Sequence, residues 1–298
     1  MAYWEAVGSF IADQDIDTAD YLLPFCGLDG NGGSSVNPWS GVSAILFLYM
    51  SKVGSIARQL HHLRKLSAPL SQIVDEARQI LLQKARYIEA LVCRHKLPGT
   101  ERLESTGDKF TPVGHFQTIA RAYRLSILLE LYRMFPEMTI QESSLSLSLF
   151  SEEAQRHVKC HGQLHGLAID IMSLIASIPE NSGTRAVQTL ALIIAGSTLH
   201  YNSTEYVDNP QDKDFIELPF GTKEVILFWR SFATSRLHNL SQYVGLDTVR
   251  RAHMIVVETW EREEQRTWQS MKNSTNLSTS SVHWIDVMSD KRLETLLG

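Results

Sequence analysis

Along most of this chain apolar residues recur at spacings of three and four, the period of an amphipathic helix and not the alternation of a half-buried strand. That spacing predicts helices over Ser40 to Arg64 and over Leu70 to His95, the second carried by Ile73, Ala77, Ile80, Leu81 and Leu91. Pro98, Gly99, Gly107, Pro112 and Gly114 break Lys96 to Gly114 into a loop. The helical period resumes from His115 to Phe135, and Pro136 stops it. Leu145-Ser146-Leu147-Ser148-Leu149 alternates with period two, but no second such run is available to pair with it, so Glu137 to Phe150 reads as a loop or docking segment. The next helix starts at Ser151, whose hydroxyl can cap free amides while Glu152 and Glu153 occupy the positive first turn, and it ends at Ile178.

Beyond Pro179, Glu180 to Thr184 forms a turn into an apolar, buried helix over Ala186 to Leu199. Tyr201 to Gly221 is polar and reads as an exposed insertion or lid. Helices over Thr222 to Tyr243 and Asp247 to Trp268 follow, parted by Gly245, and Ser270 to Ser281 has the composition of a flexible tether. Val282, Trp284, Ile285, Val287 and Met288, with Leu293, Leu296 and Leu297 behind them, carry too much apolar area to trail in water. They are expected to fold back onto the domain, against the Asp247 to Trp268 helix. Trp39, Trp229, Trp260, Trp268 and Trp284 read as packing anchors. With no repeat of fixed period and no boundary between two cores, the expectation is an all-α fold, a single large helical domain of about ten helices.

Composition narrows the function. Twenty-eight basic against 33 acidic residues leave a net charge of -5, which argues against a nucleic-acid footprint. Three cysteines, Cys26, Cys93 and Cys160, lie far apart, so no Cys-x-x-Cys pair exists. An odd cysteine count without an apolar leader behind Met1 reads as an intracellular, reducing setting, in which the sequons at Asn202 and Asn239 carry no glycosylation meaning. The apolar run from Ala186 to Leu199 is too short to span a bilayer, so no membrane partner is expected.

The candidate chemistry is sparse. His161 and His165 share a face with Ala168, Met172 and Ile175, opposite Arg156, Lys159, Gln163, Asp170, Ser173 and Ser177. Two imidazoles at i, i+4 can hold zinc, but the Glu of a His-Glu-x-x-His motif is missing and Cys160 points about 100° away. We expect both histidines to be buried, without metal, as packing or pocket-lining groups. His115, Arg121, Tyr123 and Arg124 cluster on one helix, where the guanidinium groups suit either a ligand's carboxylate or phosphate or an acidic neighbour such as Glu130. The LDGNGG run within Gly27 to Gly33 lacks a Gly-Lys-Ser/Thr ending, and Asp20, Asp29 and Asn31 lack EF-hand spacing, so no cofactor and no metal is expected. No nucleophile elbow, kinase signature or zinc-peptidase motif is present.

Several segments resemble one family in order. Val36-Asn37-Pro38-Trp39-Ser40-Gly41 resembles a V-D-P-x-x-G entry, and Leu190 to Gly196 an apolar P-L-F-I-A-G helix. Val256-x-x-x-Trp260-x-Arg262, Trp284-x-x-Val287-Met288 and the closing Leu297-Gly298 resemble its C-terminal end. Together they are similar to the fungal-specific transcription factor domain, from Val36 to Gly298, with residues 1–35 as an N-terminal extension. The resemblance implies a nuclear regulatory domain that senses small molecules or contacts protein partners, a second copy included, while a separate six-cysteine zinc cluster meets DNA. This chain cannot form that cluster, so it reads as an excised regulatory domain or a cluster-less relative, and Met1 favours the second. The alternative is a cytoplasmic enzyme, a cyclase or isomerase, or a binding protein for an apolar secondary metabolite, with His161, His165, His115, Tyr123 and Arg124 as the proton-transfer or anchoring groups.

Overall fold

The computed structural model describes residues 1–26, 37, 39–66, 71–139, 152–200, 223–245, 247–273 and 281–294. Nine α-helices lie among them: α1 Ala2–Ile11, α2 Ala44–Lys65, α3 Ser71–Arg94, α4 Val113–Met134, α5 Glu152–Ala176, α6 Thr189–Gly196, α7 Lys223–Val244, α8 Asp247–Asn273 and α9 Trp284–Asp290. Short 3-10 turns cover Thr18–Phe25, Thr100–Arg102, Pro136–Met138 and Gly183–Val187. The described residues hold no strand, only an isolated bridge between Asn37 and Gly41. The domain is all-α, and side chains from every α-helix meet in one continuous core. The Gly27 to Gly33 run, the Leu145 to Leu149 alternation, Ser151, the Tyr201 to Gly221 insertion, residues 274–280 of the tether, and Leu296 and Leu297 lie outside the described residues, as do the side chains of His161 and Cys160.

α2 is the spine. Ile45, Leu46, Phe47, Leu48, Met50, Val53, Ile56, Ala57 and Leu60 bury more than one face, because α1, α3, α4 and α9 all pack on it. α1 lies within residues 1–35 and was not foreseen, yet Tyr3, Ala6, Val7 and Phe10 form an i, i+3, i+4, i+7 stripe that is fully buried. It crosses α2 at Gly54, where a Cβ would collide with Ser9 Oγ and the Phe10 ring, so only glycine permits this approach. Lys52 pairs with Asp17 and Asp20, and Arg58 with Asp13, which ties the following chain to the same helix.

Three expectations are corrected. α3 buries Leu81, Leu82, Ala85, Ile88 and Val92, whereas Ile73 and Ile80 stand in solvent, because only the C-terminal half of the helix is backed by α2 and α4. Trp39 and Trp268 are exposed rather than packed. Trp39 sits in a turn where Asn37 Oδ1 accepts from the amides of Trp39 and Ser40, and Trp268 lies off the α8 stripe with Lys272 over its ring.

The apolar stretch from Ala186 to Leu199 does not form one helix. It breaks at Gln188 into the Gly183–Val187 turn and α6, all eight residues of which are buried. The break frees two carbonyls, and two tyrosines satisfy them: Tyr3 donates to Ala186 O and Tyr123 to Val187 O. α6 is thereby placed at the centre, in contact with α4, α5, α7 and α8.

Candidate functional site

Of the five side chains proposed from sequence, the four that are described, His115, Tyr123, Arg124 and His165, stand in separate environments. Tyr123 is fully buried; its hydroxyl donates to Val187 O at 2.7 Å and its ring meets Phe47 edge to face, with centroids 4.7 Å apart. Burial holds its phenol well above the usual range, so it stays a donor. Arg124 spends its guanidinium on the carbonyls of Val92, Cys93 and His95, closing the end of α3. His115 lies 2.9 Å from Ser182 Oγ through Nδ1. His165 is buried on α5 and meets His200 edge to face, with ring centroids 5.4 Å apart. Arg121 is exposed, and Glu130 pairs with neither arginine foreseen for it.

Glu130 belongs instead to a charge network that sequence reasoning missed. It is fully buried on the α4 stripe of Tyr123, Ile127 and Met134. Trp284 Nε1 donates to its Oε1 at 3.1 Å, His283 Nε2 lies 3.0 Å from the same oxygen, and Arg133 Nη1 lies 3.7 Å from Oε2. Arg133 also donates to Ile194 O, Ser197 Oγ and Thr198 Oγ1, gathering the end of α6. His283 Nδ1 accepts the Ile285 amide and caps α9, which leaves the ring proton on Nε2, facing Glu130. Next to it Asp286 takes His61 Nδ1 at 2.5 Å and Arg64 Nη1 at 2.9 Å. α9 is also clamped to α8 by Arg262 on Asp290 and Lys291 on Glu258.

Burial pushes the Glu130 carboxyl up, but the Arg133 charge and the N–H groups that His283 and Trp284 turn toward it more than reverse this, leaving it ionised below the usual carboxylate range. Burial lowers His283 and His61, each only partly opposed by its carboxylate, so both rings are neutral. The sign of the pH dependence follows. A histidine with a depressed native pKa takes up its proton first in the unfolded chain, so stability falls as pH drops below about 6.5, and the depressed carboxyls of Glu130 and Asp286 extend the loss below about 4.5. Melting temperature is expected to be flat above pH 7 and to decline from pH 6.5 to 5, less steeply in His283→Gln. An unchanged value at pH 5 contradicts the neutral assignment.

A second feature is a cleft of about 300 Å³ where the turn that follows α5, the Gly183–Val187 turn and α7 meet. Glu180, Asn181, Arg185, Arg236, Asn239, Leu240 and Tyr243 line it, and His115, Tyr123, Arg124 and His165 are not among these described residues. Among the described residues no group of three or more His, Cys, Asp or Glu is placed to hold a metal ion, and no helix is long and apolar enough to cross a membrane.

The description of one family, the fungal-specific transcription factor domain, matches the chain from residue 1 to residue 298. The chain belongs to this family. No curated protein and no solved structure matches it. The family match includes residues 1–35, in agreement with the burial of α1 against the core. It also gives physical meaning to the motifs that carried the resemblance. Gly196 lies where a Cβ would press on Val256 at 3.2 Å, and its carbonyl accepts Trp260 Nε1 at 2.8 Å, so the apolar helix α6 and the α8 tryptophan lock each other. Trp284, Val287 and Met288 of the C-terminal motif are buried, and Trp284 reaches the Glu130 carboxylate. A carboxylate on an otherwise apolar helical stripe was the legible signal for Glu130, although its partners lie too far along the chain to be read.

Proposed function

We propose that this chain is the regulatory, ligand-sensing domain of a fungal transcription factor, or of a relative without the zinc cluster, that it acts in the nucleus, and that it makes no direct DNA contact. The observation that carries the reading is the match of this family over the whole chain, which supports a regulatory role. Three further features favour the finer statement. The chain carries a net charge of -5 and three cysteines with no close pair, a poor basis for phosphate contacts or a cysteine cluster. The cleft beside α7 offers a small molecule charged and amide side chains. Two of the groups on which the enzyme alternative depends, Tyr123 and Arg124, are engaged with backbone carbonyls.

Two experiments test this reading. The purified chain is expected to leave a panel of promoter fragments unshifted in a mobility-shift assay at physiological salt. Fused to an unrelated DNA-binding module, it is expected to make reporter output depend on a small molecule. Sequence-specific retention of DNA by the chain alone contradicts the first half of the proposal, and reporter output insensitive to every small molecule supplied contradicts the second.

A further inference from the structure

We infer that the cleft between the turn after α5 and α7 binds a small organic carboxylate, and that Glu180 holds the ligand's place while the site is free. The inference rests on the ligand-sensing reading and assigns it a location and a chemical class. Its centre is Arg236, whose side chain is only 5% exposed. Nε donates to Gln188 Oε1 at 3.1 Å and Nη2 to Ile178 O at 2.9 Å, so the guanidinium plane is fixed from behind. Its remaining nitrogen, Nη1, has only Glu180 Oε1 at 3.6 Å, beyond hydrogen-bond length. A rigid guanidinium with an unspent nitrogen facing a cleft suits a carboxylate, because its fixed, charged N–H groups bond strongly to an anionic oxygen.

The carboxylate now nearest that edge is weakly held. Glu180 is 66% exposed, follows Pro179 in the turn after α5, and accepts a hydrogen bond from Asn239 Nδ2 at 3.0 Å. Exposed pairs of this kind contribute little, so a ligand carboxylate can take both Arg236 and Asn239 while Glu180 swings into water. A second guanidinium, Arg185, lies at the same cleft and stacks over the Tyr243 ring. Two cations against one displaceable carboxylate leave a positive surplus that an anion answers. Leu240 and Tyr243 supply an apolar wall, and about 300 Å³ is the small end of ligand pockets. The site therefore suits a short apolar body with one carboxylate, and not the large apolar metabolite that a helical scaffold alone would bring to mind.

The test is calorimetric titration of the full chain with three probes: benzoate, benzyl alcohol as the same body without charge, and inorganic phosphate as charge without the body. Benzoate is expected to bind saturably at one site, with benzyl alcohol and phosphate at least tenfold weaker. Glu180→Gln removes the competing charge and is expected to tighten benzoate about two- to fivefold. Arg185→Gln and Asn239→Asp, at the rim of the cleft, are expected to weaken it more than tenfold while circular dichroism and melting temperature stay at wild-type values. These rim variants keep the test decisive if Arg236 variants fail to fold. Absence of benzoate binding, equal binding of benzyl alcohol or phosphate, or indifference to both rim variants overturns the assignment. Binding without any change in the output of the reporter fusion leaves this site standing and sinks the ligand-sensing reading instead.

Discussion

Replacing Glu130 with alanine will lower the unfolding free energy by about 3 to 5 kcal/mol, the usual cost of removing one partner from a buried ion pair. The carboxylate stands among buried partners: Arg133 is 5% exposed at its side chain, and His283 and Trp284 are buried. Without it the Arg133 charge stays in the core with no counter-charge, and the Trp284 Nε1 proton loses its acceptor. Glu130→Gln keeps the volume and one acceptor but still removes the charge, so it should fall between wild type and alanine. Urea denaturation at pH 7.5 checks both variants. A loss below about 1 kcal/mol for the alanine variant contradicts the network.

Trp284→Ala is expected to cost about 3 to 5 kcal/mol, as truncation of a fully buried large aromatic does. The ring has no exposed surface and packs on Phe10 of α1 at a centroid distance of 5.1 Å, so it joins the two ends of the chain across α2. Trp284→Phe keeps most of the apolar contact and deletes the donor to Glu130, which isolates the hydrogen bond at about 1 to 3 kcal/mol. Because Trp284 and Glu130 share that bond, the double alanine variant should be less destabilised than the sum of the singles, and strict additivity contradicts the coupling. Removing residues 281–298 strips away the whole cover. The groove it leaves holds Glu130 and apolar side chains of α2, so the truncated chain is expected to melt earlier and to aggregate. A truncated protein that is monomeric with unchanged melting temperature would mark the segment as a tail for a partner.

The helical class and the positions of α2, α4, α5, α7 and α8 were legible because helix periodicity, prolines and glycines are local signals. The docking of the C-terminal segment was legible as well, since Trp284, Ile285, Val287 and Met288 concentrate apolar area that water does not tolerate. The α1 stripe is present in the sequence without marking a core helix, and on α3 Leu81 is buried while Ile73 and Ile80 are not, because a helix shows which residues are apolar but not which neighbour covers them. The apolar stretch around Gln188 was read as one helix because its composition has no breaker; the break exists where Tyr3 and Tyr123 reach in from other helices to satisfy the freed carbonyls.

The candidate sites divide along the same line. From the sequence alone come the family, the acidic balance, the lack of a cysteine cluster and the buried stripe of α5 on which His165 sits. Only the tertiary structure decides what the polar residues on such stripes do. Glu130 meets Trp284 from 154 positions away, and Arg236 takes the Ile178 carbonyl from 58 positions away. A buried charge is stable only beside partners that fix and neutralise it, and those partners are chosen by packing between helices distant in sequence, where local periodicity carries no information.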